Sequence, residues 1–276
     1  VESSTKIIIE VPDALKAVAE YFKDDFSRII SGDTNLPFLP ENIYENALTE
    51  GVEFTDMRKY DSFPFKLQWA DGSEKTAKIS LLPQSVFTVS LSLPKIHECL
   101  AFSGCTENMA GCIVKNKQAV HGVQWWSRFS RKRAYTGNLI MNTNLMRVLD
   151  YAKPNISVLD CHDRIEFDGT KNCKVAMSSD DYIAIDKIAS RMMGLQYVAH
   201  LSIAHTYGFG NAKLDKIKIA KDGFDSWSEI SFLARPHYNY FVHKIPFDIR
   251  HTFYALTRLH RLIDMRIEKR LERDVL

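Results

Sequence analysis

Residues 65–81 read Phe-Lys-Leu-Gln-Trp-Ala-Asp-Gly-Ser-Glu-Lys-Thr-Ala-Lys-Ile-Ser-Leu, and this stretch predicts a β-hairpin. Its central dipeptide, Asp71-Gly72, is typical of a tight hairpin turn, because aspartate and glycine tolerate the positive φ that such a turn requires. We therefore expect strands at Phe65–Trp69 and Thr76–Leu81. The chain is thus predicted to contain antiparallel β-structure.

Two more Asp-Gly pairs and several helix signals indicate the fold class. The pairs at residues 168–169 and 222–223 predict further hairpins, and Pro12 and Pro94 stand where helices begin. Helices at both ends with hairpins between them predict an α+β fold, with a mixed sheet flanked by helices in a single domain. The other predicted strands are Ile165–Phe167, Cys173–Met177, Val86–Leu91, Tyr197–Ile203, Leu214–Ala220 and Trp227–Leu233. The predicted helices are Pro12–Ile30, Pro94–Gly104, Asn144–Ala152, a helix from its cap Ser179 to Met193, and Phe247–Leu271.

We expect this single domain to span residues 1–276. Residues 1–62 form its N-terminal region, which is irregular after the first helix. Residues 247–276 carry a C-terminal amphipathic helix, because apolar side chains recur there at helical spacing. The apolar positions of this helix are Phe253, Leu256, Ile263, Ile267 and Leu271.

The composition is that of an ordinary globular protein. Of 276 residues, 45% are hydrophobic and 25% charged, which excludes intrinsic disorder. No apolar run approaches the roughly 18 residues of a membrane helix, and no signal-peptide pattern opens the chain. Five cysteines, an odd number, argue against a secreted disulfide scaffold. We therefore expect a cytoplasmic protein with reduced thiols and no membrane contact.

Charge is distributed unevenly along the chain. Residues 1–61 hold 13 acidic and 6 basic side chains, whereas residues 108–149 contain no Asp or Glu. Such a segment favours an anionic partner: a phosphorylated small molecule, nucleic acid, or the chain's own acidic N-terminal region. Its basic residues are Lys115, Lys117, Arg128, Arg131, Lys132, Arg133 and Arg147.

Aromatic residues interleave with bases in the middle of this acid-free segment. Trp125, Trp126, Phe129 and Tyr135 alternate with arginines and a lysine, as in surfaces that stack nucleobases and bind phosphates. The alternative is that the aromatic residues are core and the basic residues a solvated face.

Three other groupings are weak site candidates. His97, Cys99, Cys105 and Cys112 match none of the paired spacings of zinc sites, and buried thiols are the simpler interpretation. The tetrapeptide from His200 resembles half of a two-histidine phosphoesterase motif, but no second copy exists, so a strand histidine satisfied by its neighbours is favoured. The carboxylates that could bind magnesium, for which a solvated hairpin is the simpler interpretation, are Asp160, Asp163, Glu166 and Asp168.

Five segments in sequence order resemble thymidylate synthase and the related deoxypyrimidine-monophosphate hydroxymethylases. Residues 96–106, Ile-His-Glu-Cys-Leu-Ala-Phe-Ser-Gly-Cys-Thr, are similar to that family's I-x-H-E-L-L-W-F-L-x-G-x-T helix, and residues 120–125 to its V-Y-G-x-Q-W. Cys161-His162 stands where the family has its nucleophile, and a hairpin follows. Ser179 with Asp181, and then residues 205–207, resemble the family's R-S-x-D and H-x-Y elements. The resemblance covers residues of about 86–207 and implies the family's fold and a homodimer.

The resemblance implies a folate-dependent transfer of a methyl or hydroxymethyl group to C5 of a pyrimidine nucleotide. The thiolate of Cys161 would add at C6 and make C5 nucleophilic. Glu98 would orient water and move protons, and His121 would help to remove the C5 proton. Asp181 would bind the cofactor, 5,10-methylenetetrahydrofolate. The residues implied to bind substrate are Gln124, Ser179, His205, Tyr207 and Arg128.

Several positions depart from the family's pattern. Ser178 replaces an arginine, the paired arginines before the nucleophile are missing, and Asp160 precedes Cys161 in place of proline. Because those arginines bind the nucleotide phosphate, two alternatives stay open. One is a catalytically lapsed relative that binds nucleic acid through residues 108–149. The other is an unrelated phosphoesterase that uses His200 or the carboxylates at 160–168.

Overall fold

The computed structural model describes residues 12–34, 51–69, 71–97, 100–122, 131–161, 163–166, 169–172, 175–193, 195 and 198–220. Its helices are α1 (Pro12–Phe22), α2 (Leu82–Ser85), α3 (Cys105–Asn108), α4 (Arg131–Leu149), α5 (Tyr182–Met192) and α6 (Ala199–Thr206). Its first strands are β1 (Ile29–Asp33), β2 (Val52–Asp56), β3 (Ser62–Gln68), β4 (Glu74–Ser80), β5 (Val89–Ser92) and β6 (Lys95–His97). The later strands are β7 (Ala101–Ser103), β8 (Ile113–Lys115), β9 (Ile156–Asp160), β10 (Asp163–Glu166), β11 (Gly169–Asn172) and β12 (Ala176–Ser179).

The hairpin predicted around Asp71-Gly72 is confirmed. Strands β3 and β4 pair antiparallel from Ser62↔Ser80 to Gln68↔Glu74. Gly72 takes φ +86°, and the Asp71 carboxylate accepts a hydrogen bond from the Ser73 N–H at 2.8 Å, so the turn closes on its own side chain. Strand β8 joins the free edge of β4, which makes an antiparallel sheet of three strands in the order β3–β4–β8.

A second sheet is mixed, in the order β12–β9–β5. Strands β5 and β9 run parallel, and β12 runs antiparallel to β9. The other described strands form pairs: β1 with β2 in parallel, and the hairpins β6–β7 and β10–β11. Both three-stranded sheets and helices α4 to α6 contribute to one core, which confirms the predicted α+β class, and the described residues form a single domain. The extent of that domain over residues 1–276 stays a prediction. Among the largest fully buried side chains are Leu67, Ile79, Phe102, Leu145, Leu149, Ile183, Met193 and Leu201.

Asn144 connects helix α4 to the first sheet. Its side chain is fully buried, its Oδ1 accepts from the Gln68 N–H at 2.8 Å, and its Nδ2 donates to the Gln68 carbonyl at 3.0 Å. The same Nδ2 donates to the Val120 carbonyl at 3.1 Å. One amide thus bonds the backbone where strand β3 ends and in the 3-10 turn Lys117–His121, and the Val120 carbonyl of that turn is buried at this contact.

In two predicted elements, helix and strand are exchanged. The helix expected over Pro94–Gly104 is the hairpin β6–β7, in which Ala101 adopts φ +63° and Phe102 is buried. Pro94 and Gly104 suit the ends of a hairpin as well as those of a helix, so these signals did not discriminate. The strand expected over Tyr197–Ile203 is helix α6. Its buried residues lie three and four positions apart, as on one face of a helix, and do not alternate as in a strand: Val198, His200, Leu201 and Ala204.

Other elements differ in their boundaries. The first helix ends at Phe22, and the β-branched pair Ile29-Ile30 enters β1. Helix α4 begins at Arg131 and ends at Leu149, while strand β10 pairs with Gly169–Asn172 rather than with Cys173–Met177. Leu214–Lys216 is a 3-10 turn instead of a strand. Trp227–Leu233 and Phe247–Leu271 lie outside the described residues.

No helix within the described ranges is long and apolar enough to cross a membrane. The cytoplasmic location and the homodimer stay predictions.

Replacing Asn144 by alanine is expected to lower the free energy of unfolding by on the order of 3 kcal/mol. The substitution leaves the part-buried backbone groups of Gln68 and the buried carbonyl of Val120 without their Asn144 partner, and a buried unpaired group costs about 1–3 kcal/mol. Urea unfolding monitored by circular dichroism measures the loss.

Asn155→Ala is the matched control. Asn155 is exposed, and its Oδ1 accepts one hydrogen bond, from the Thr88 N–H. We expect a loss of about 1 kcal/mol or less for this variant. Equal losses in the two variants would show that Asn144 does not connect the segments in the way described.

Candidate functional site

Three of the predicted site residues lie together where helix α5 begins. Asp181 is the N-cap of α5: its Oδ1 accepts hydrogen bonds from the Ile183 and Ala184 N–H groups at 3.0 and 2.9 Å. The cap is therefore Asp181 and not Ser179, whose hydroxyl instead accepts from the Asp181 N–H at 3.0 Å. This arrangement satisfies the free N–H groups of the first helical turn.

The loop after helix α6 closes over the same carboxylate. Asp181 Oδ2 accepts from the Asn211 N–H at 2.8 Å, and His205 Nδ1 lies 2.9 Å from the Gly210 carbonyl oxygen. A Cβ at Gly210 would stand 2.3 Å from Asp181 Oδ1, so only glycine fits this close approach. Tyr207 is 63% exposed on this loop. Ser179, Asp181 and His205 thus form hydrogen bonds that hold the fold.

Cys161 lies at the other end of the mixed sheet. It follows β9 directly and is 1% exposed, and its N–H donates to the Val175 carbonyl. Ser179 pairs with Ser157, four residues before Cys161, which separates the two site residues by about 13 Å along the strand. The structure therefore does not bring Cys161 next to the cluster around Asp181.

The remaining predicted residues are dispersed or not described. His121 ends the 3-10 turn Lys117–His121 and is half-buried. Glu98, Gln124 and Arg128 lie outside the described residues. No three His, Cys, Asp or Glu side chains converge as a possible metal site within the part of the chain that the structure describes.

A buried carboxylate that the sequence analysis did not single out joins helix α5 to α3. Asp186 is fully buried, and its two oxygens accept hydrogen bonds from the Cys105 and Thr106 N–H groups, both at 2.8 Å. Burial raises the pKa of Asp186 to about 6, against the lowering effect of its hydrogen bonds to Thr106 and Cys105. A Cβ at Gly104 would stand 2.3 Å from Asp186 Oδ1. The sequence does carry a signal for Asp186: an acidic residue stands next to Ile185 on the apolar face of a helix, and this position indicates a buried carboxylate.

Cys105 lies beside this carboxylate and is chemically inert. Its thiol is buried and lies 3.4 Å from the carbonyl oxygens of Ser90 and Val158. Burial, followed by the negative charge of Asp186, raises the pKa of the Cys105 thiol well above its usual value. A thiol of this kind stays protonated and is a poor nucleophile or metal ligand.

His200 is a buried histidine on helix α6 and not on a strand. Neither ring nitrogen makes a hydrogen bond of ordinary geometry within the described part of the chain, and the polar group that interacts with the ring is the Leu100 backbone. Burial, followed by repulsion from His97, lowers the pKa of His200 to about 3. The ring is therefore neutral at physiological pH.

The exposed face of the sheet β3–β4–β8 carries three lysines from distant parts of the sequence. Phe65, Leu67, Ala77 and Ile79 point into the core, so the alternating positions Lys66 and Lys78 face solvent. Lys115 of β8 is the register partner of Lys78, at a point where the pairing of β4 with β8 shifts register between Lys78 and Ile79, and it is exposed too. We name these three side chains, Lys66, Lys78 and Lys115, the basic sheet face.

No described carboxylate forms an ion pair with the basic sheet face. Glu74, the acidic residue on the same side of β4, pairs with Arg147 at 3.3 Å. Lys66 donates to the Thr76 hydroxyl at 2.9 Å. Lys78 and Lys115 therefore present uncompensated positive charge at paired positions of neighbouring strands, an arrangement that destabilises a sheet.

The family model that describes a domain of unknown function, DUF362, matches residues 2–191. The chain belongs to the DUF362 family. No curated protein and no solved structure matches it.

Membership of the DUF362 family corrects the resemblance to thymidylate synthase. The match spans most of the segments on which that resemblance was based, and no finding relates the chain to thymidylate synthases. The structure explains part of the error: the segment 96–106 was compared with a helix, but strands β6 (Lys95–His97) and β7 (Ala101–Ser103) pair antiparallel there. A short motif such as His-Glu-Cys followed by Ser-Gly does not specify the backbone that carries it.

Replacing Gly104 by alanine is expected to lower the free energy of unfolding by about 1–3 kcal/mol, the usual cost of overpacking a core. The added methyl would meet Asp186 Oδ1 at 2.3 Å and the Phe102 ring at 2.6 Å. Gly111→Ala is the control, because nothing lies within 4 Å of its Cβ position. Chemical denaturation of both variants measures the difference, and similar losses would contradict the assigned role of Asp186.

Replacing His200 by leucine is expected to make stability less sensitive to acid. Between about pH 6.5 and 3 the unfolded chain binds a proton at His200 that the folded chain does not, so wild-type stability falls as pH falls. Asp186 acts in the opposite direction between about pH 6 and 4, because its folded pKa is raised. The difference in free energy of unfolding between His200→Leu and the wild type contains the contribution of His200 and not that of Asp186, which both proteins share. Below pH 6 this difference should change in favour of the variant by about 1.4 kcal/mol per pH unit.

Urea midpoints at half-unit steps from pH 7 to 4.5 check this expectation. His205→Gln serves as the control, because His205 is half-buried and hydrogen-bonded to Gly210. A stability difference for His200→Leu that stays constant with pH would mean that the ring binds its proton equally in the folded and the unfolded chain, which would contradict a lowered pKa.

Proposed function

We propose that this protein binds the backbone phosphates of nucleic acid. The binding surface is the basic sheet face together with the acid-free segment 108–149, to which Lys115 belongs. The observation that carries the proposal is the convergence of Lys66, Lys78 and Lys115 on one exposed surface without a described carboxylate partner.

The geometry of the lysines favours an anion between them. Lys78 and Lys115 are register partners on neighbouring strands, and Lys66 is diagonal to Lys78, because its own partner is Thr76. Like charges on paired residues of neighbouring strands repel, so the two ammonium groups, which have no described carboxylate partner, disfavour each other. A phosphate bound between them replaces this repulsion by attraction.

The sequence extends the positive surface beyond these three residues. Lys115 belongs to the segment 108–149, which contains no acidic residue, and Lys117 follows it in the 3-10 turn. Asn116 donates from its side chain to the Thr76 carbonyl at 3.0 Å, which fixes the start of that turn against β4. The lysines of the basic sheet face therefore lie on paired strands, and the following turn is attached to the same sheet.

The character of the side chains favours a polyanion rather than a single small phosphate. The three lysines are exposed point charges on an open sheet face, whereas a small-molecule site is concave and uses buried, directional groups. Lysine contacts to phosphates supply affinity without base readout, so binding should be independent of sequence and sensitive to salt.

The transfer of a one-carbon unit to pyrimidine C5 stays an untested hypothesis, and we do not propose it. Its basis was the resemblance corrected above. Cys161 is buried at the end of β9, and the oxygens of Asp181 accept hydrogen bonds from three backbone N–H groups.

The variant Lys66→Gln/Lys78→Gln/Lys115→Gln is expected to weaken binding of a fluorescein-labelled 20-nucleotide single strand. Each phosphate contact contributes a slope of about −0.7 to log K against log salt, so the loss of three contacts should reduce the slope by about 2. Fluorescence anisotropy titrations at 50, 100 and 200 mM NaCl measure both the affinity and the slope.

The matched control is Lys213→Gln/Lys216→Gln/Lys218→Gln, which removes the same charge from exposed lysines elsewhere. We expect its salt slope to equal that of the wild type. Equal weakening in both triple variants would indicate a net-charge effect, and no binding by the wild type at 50 mM NaCl would refute the proposal.

A further inference from the structure

An exposed cluster of aromatic side chains lies at the C-terminal end of helix α1. Phe22 and Phe26 pack against Phe87, which follows helix α2, with ring centroids 5.6 and 5.3 Å apart. Tyr21 contacts Phe22 edge-on at 4.9 Å and is 77% exposed. We name Tyr21, Phe22, Phe26 and Phe87 the aromatic patch.

The aromatic patch is not covered by any described part of the chain. Phe26 and Phe87 are each about two-fifths exposed, and the neighbouring Val86 is exposed as well. Single exposed apolar residues are common on protein surfaces, but a contiguous aromatic cluster usually marks an interaction site.

Acidic residues border this patch. Asp24 and Asp25 follow helix α1 directly and are exposed, and neither forms an ion pair with a described residue. Lys23, the base between them and the helix, pairs with Glu20. A partner with an apolar stripe and positive charge therefore fits both features of the surface.

We propose that residues 247–271 of this chain bind the aromatic patch. Their sequence predicts an amphipathic helix with Phe253, Leu256, Ile263 and Ile267 on one side. This segment contains six Lys and Arg residues and three Asp and Glu residues, a balance of +3. Its apolar stripe matches the aromatic rings, and its charge complements Asp24 and Asp25.

The length of chain between the two partners permits this contact. The 26 residues 221–246 separate the segment from Ala220, the last described residue. Twenty-six residues can reach at most about 85 Å, whereas a domain of this size is about 50 Å across. Because the two partners share one chain, the effective concentration of the segment at the patch is in the millimolar range.

Amide hydrogen exchange of the full chain, read by mass spectrometry, tests the proposal with the variant Ile263→Asp. Position 263 lies on the apolar stripe, so exchange in peptides from residues 12–28 and 82–88 should rise about tenfold, the scale expected when one large apolar side chain is no longer buried. Met265→Asp is the matched control. It adds the same charge about 200° around the predicted helix and should leave both peptides unchanged.

The reciprocal variant is Tyr21→Ser, a change at an exposed residue that the fold tolerates. It should increase exchange within residues 247–271, whereas Tyr207→Ser, at a tyrosine outside the patch, should not. Equal effects of Ile263→Asp and Met265→Asp, or no effect of Ile263→Asp and Tyr21→Ser, would overturn the proposal. Protection of residues 12–28 that decreases when the wild type is diluted would also overturn it, because it would identify a second copy as the occupant.

Discussion

The carboxylate of Asp186 is the interaction on which the arrangement around the mixed sheet depends. It is completely buried, and it accepts hydrogen bonds from the two N–H groups with which helix α3 begins, about eighty residues earlier in the chain. Helix α3 in turn places Cys105 against strands β5 and β9. Without the carboxylate, those N–H groups would be buried and unpaired. Without the N–H groups, the carboxylate would be a buried charge that accepts no hydrogen bonds from them. Its burial raises its pKa to about 6.

Two other side chains join remote segments in the same way. Asn144 ties helix α4 to the end of β3, and Asp181 holds both the first turn of α5 and the loop at Asn211. In each case a short polar side chain satisfies backbone groups that the fold has removed from water. This explains why Asp181 and His205, which sequence motifs singled out as binding residues, are occupied by hydrogen bonds within the protein.

The two proposed surfaces have opposite chemistry and lie on different elements. The basic sheet face consists of lysines from three strands, and it lacks described carboxylates that would neutralise Lys78 and Lys115. The aromatic patch on α1 is bordered by Asp24 and Asp25. This separation extends the charge asymmetry of the sequence, in which residues 1–61 are acidic and residues 108–149 contain no acid. A nucleic acid attracted to the one surface is repelled from the other.

The sequence alone determined those features that depend on local chemistry. The hairpin at Asp71-Gly72 was predictable because the turn needs only a positive φ and an aspartate that bonds its own backbone, and the α+β class followed from such signals. The hairpin β6–β7 and helix α6 were not predictable, because Pro94, Gly104 and the spacing of Val198 and Leu201 suit more than one secondary structure. The partners of Asp186 and the alignment of Lys78 with Lys115 were decided by the tertiary structure. Burial and strand register join residues that no local pattern relates, and a shift of one residue would move a side chain to the opposite face of the sheet.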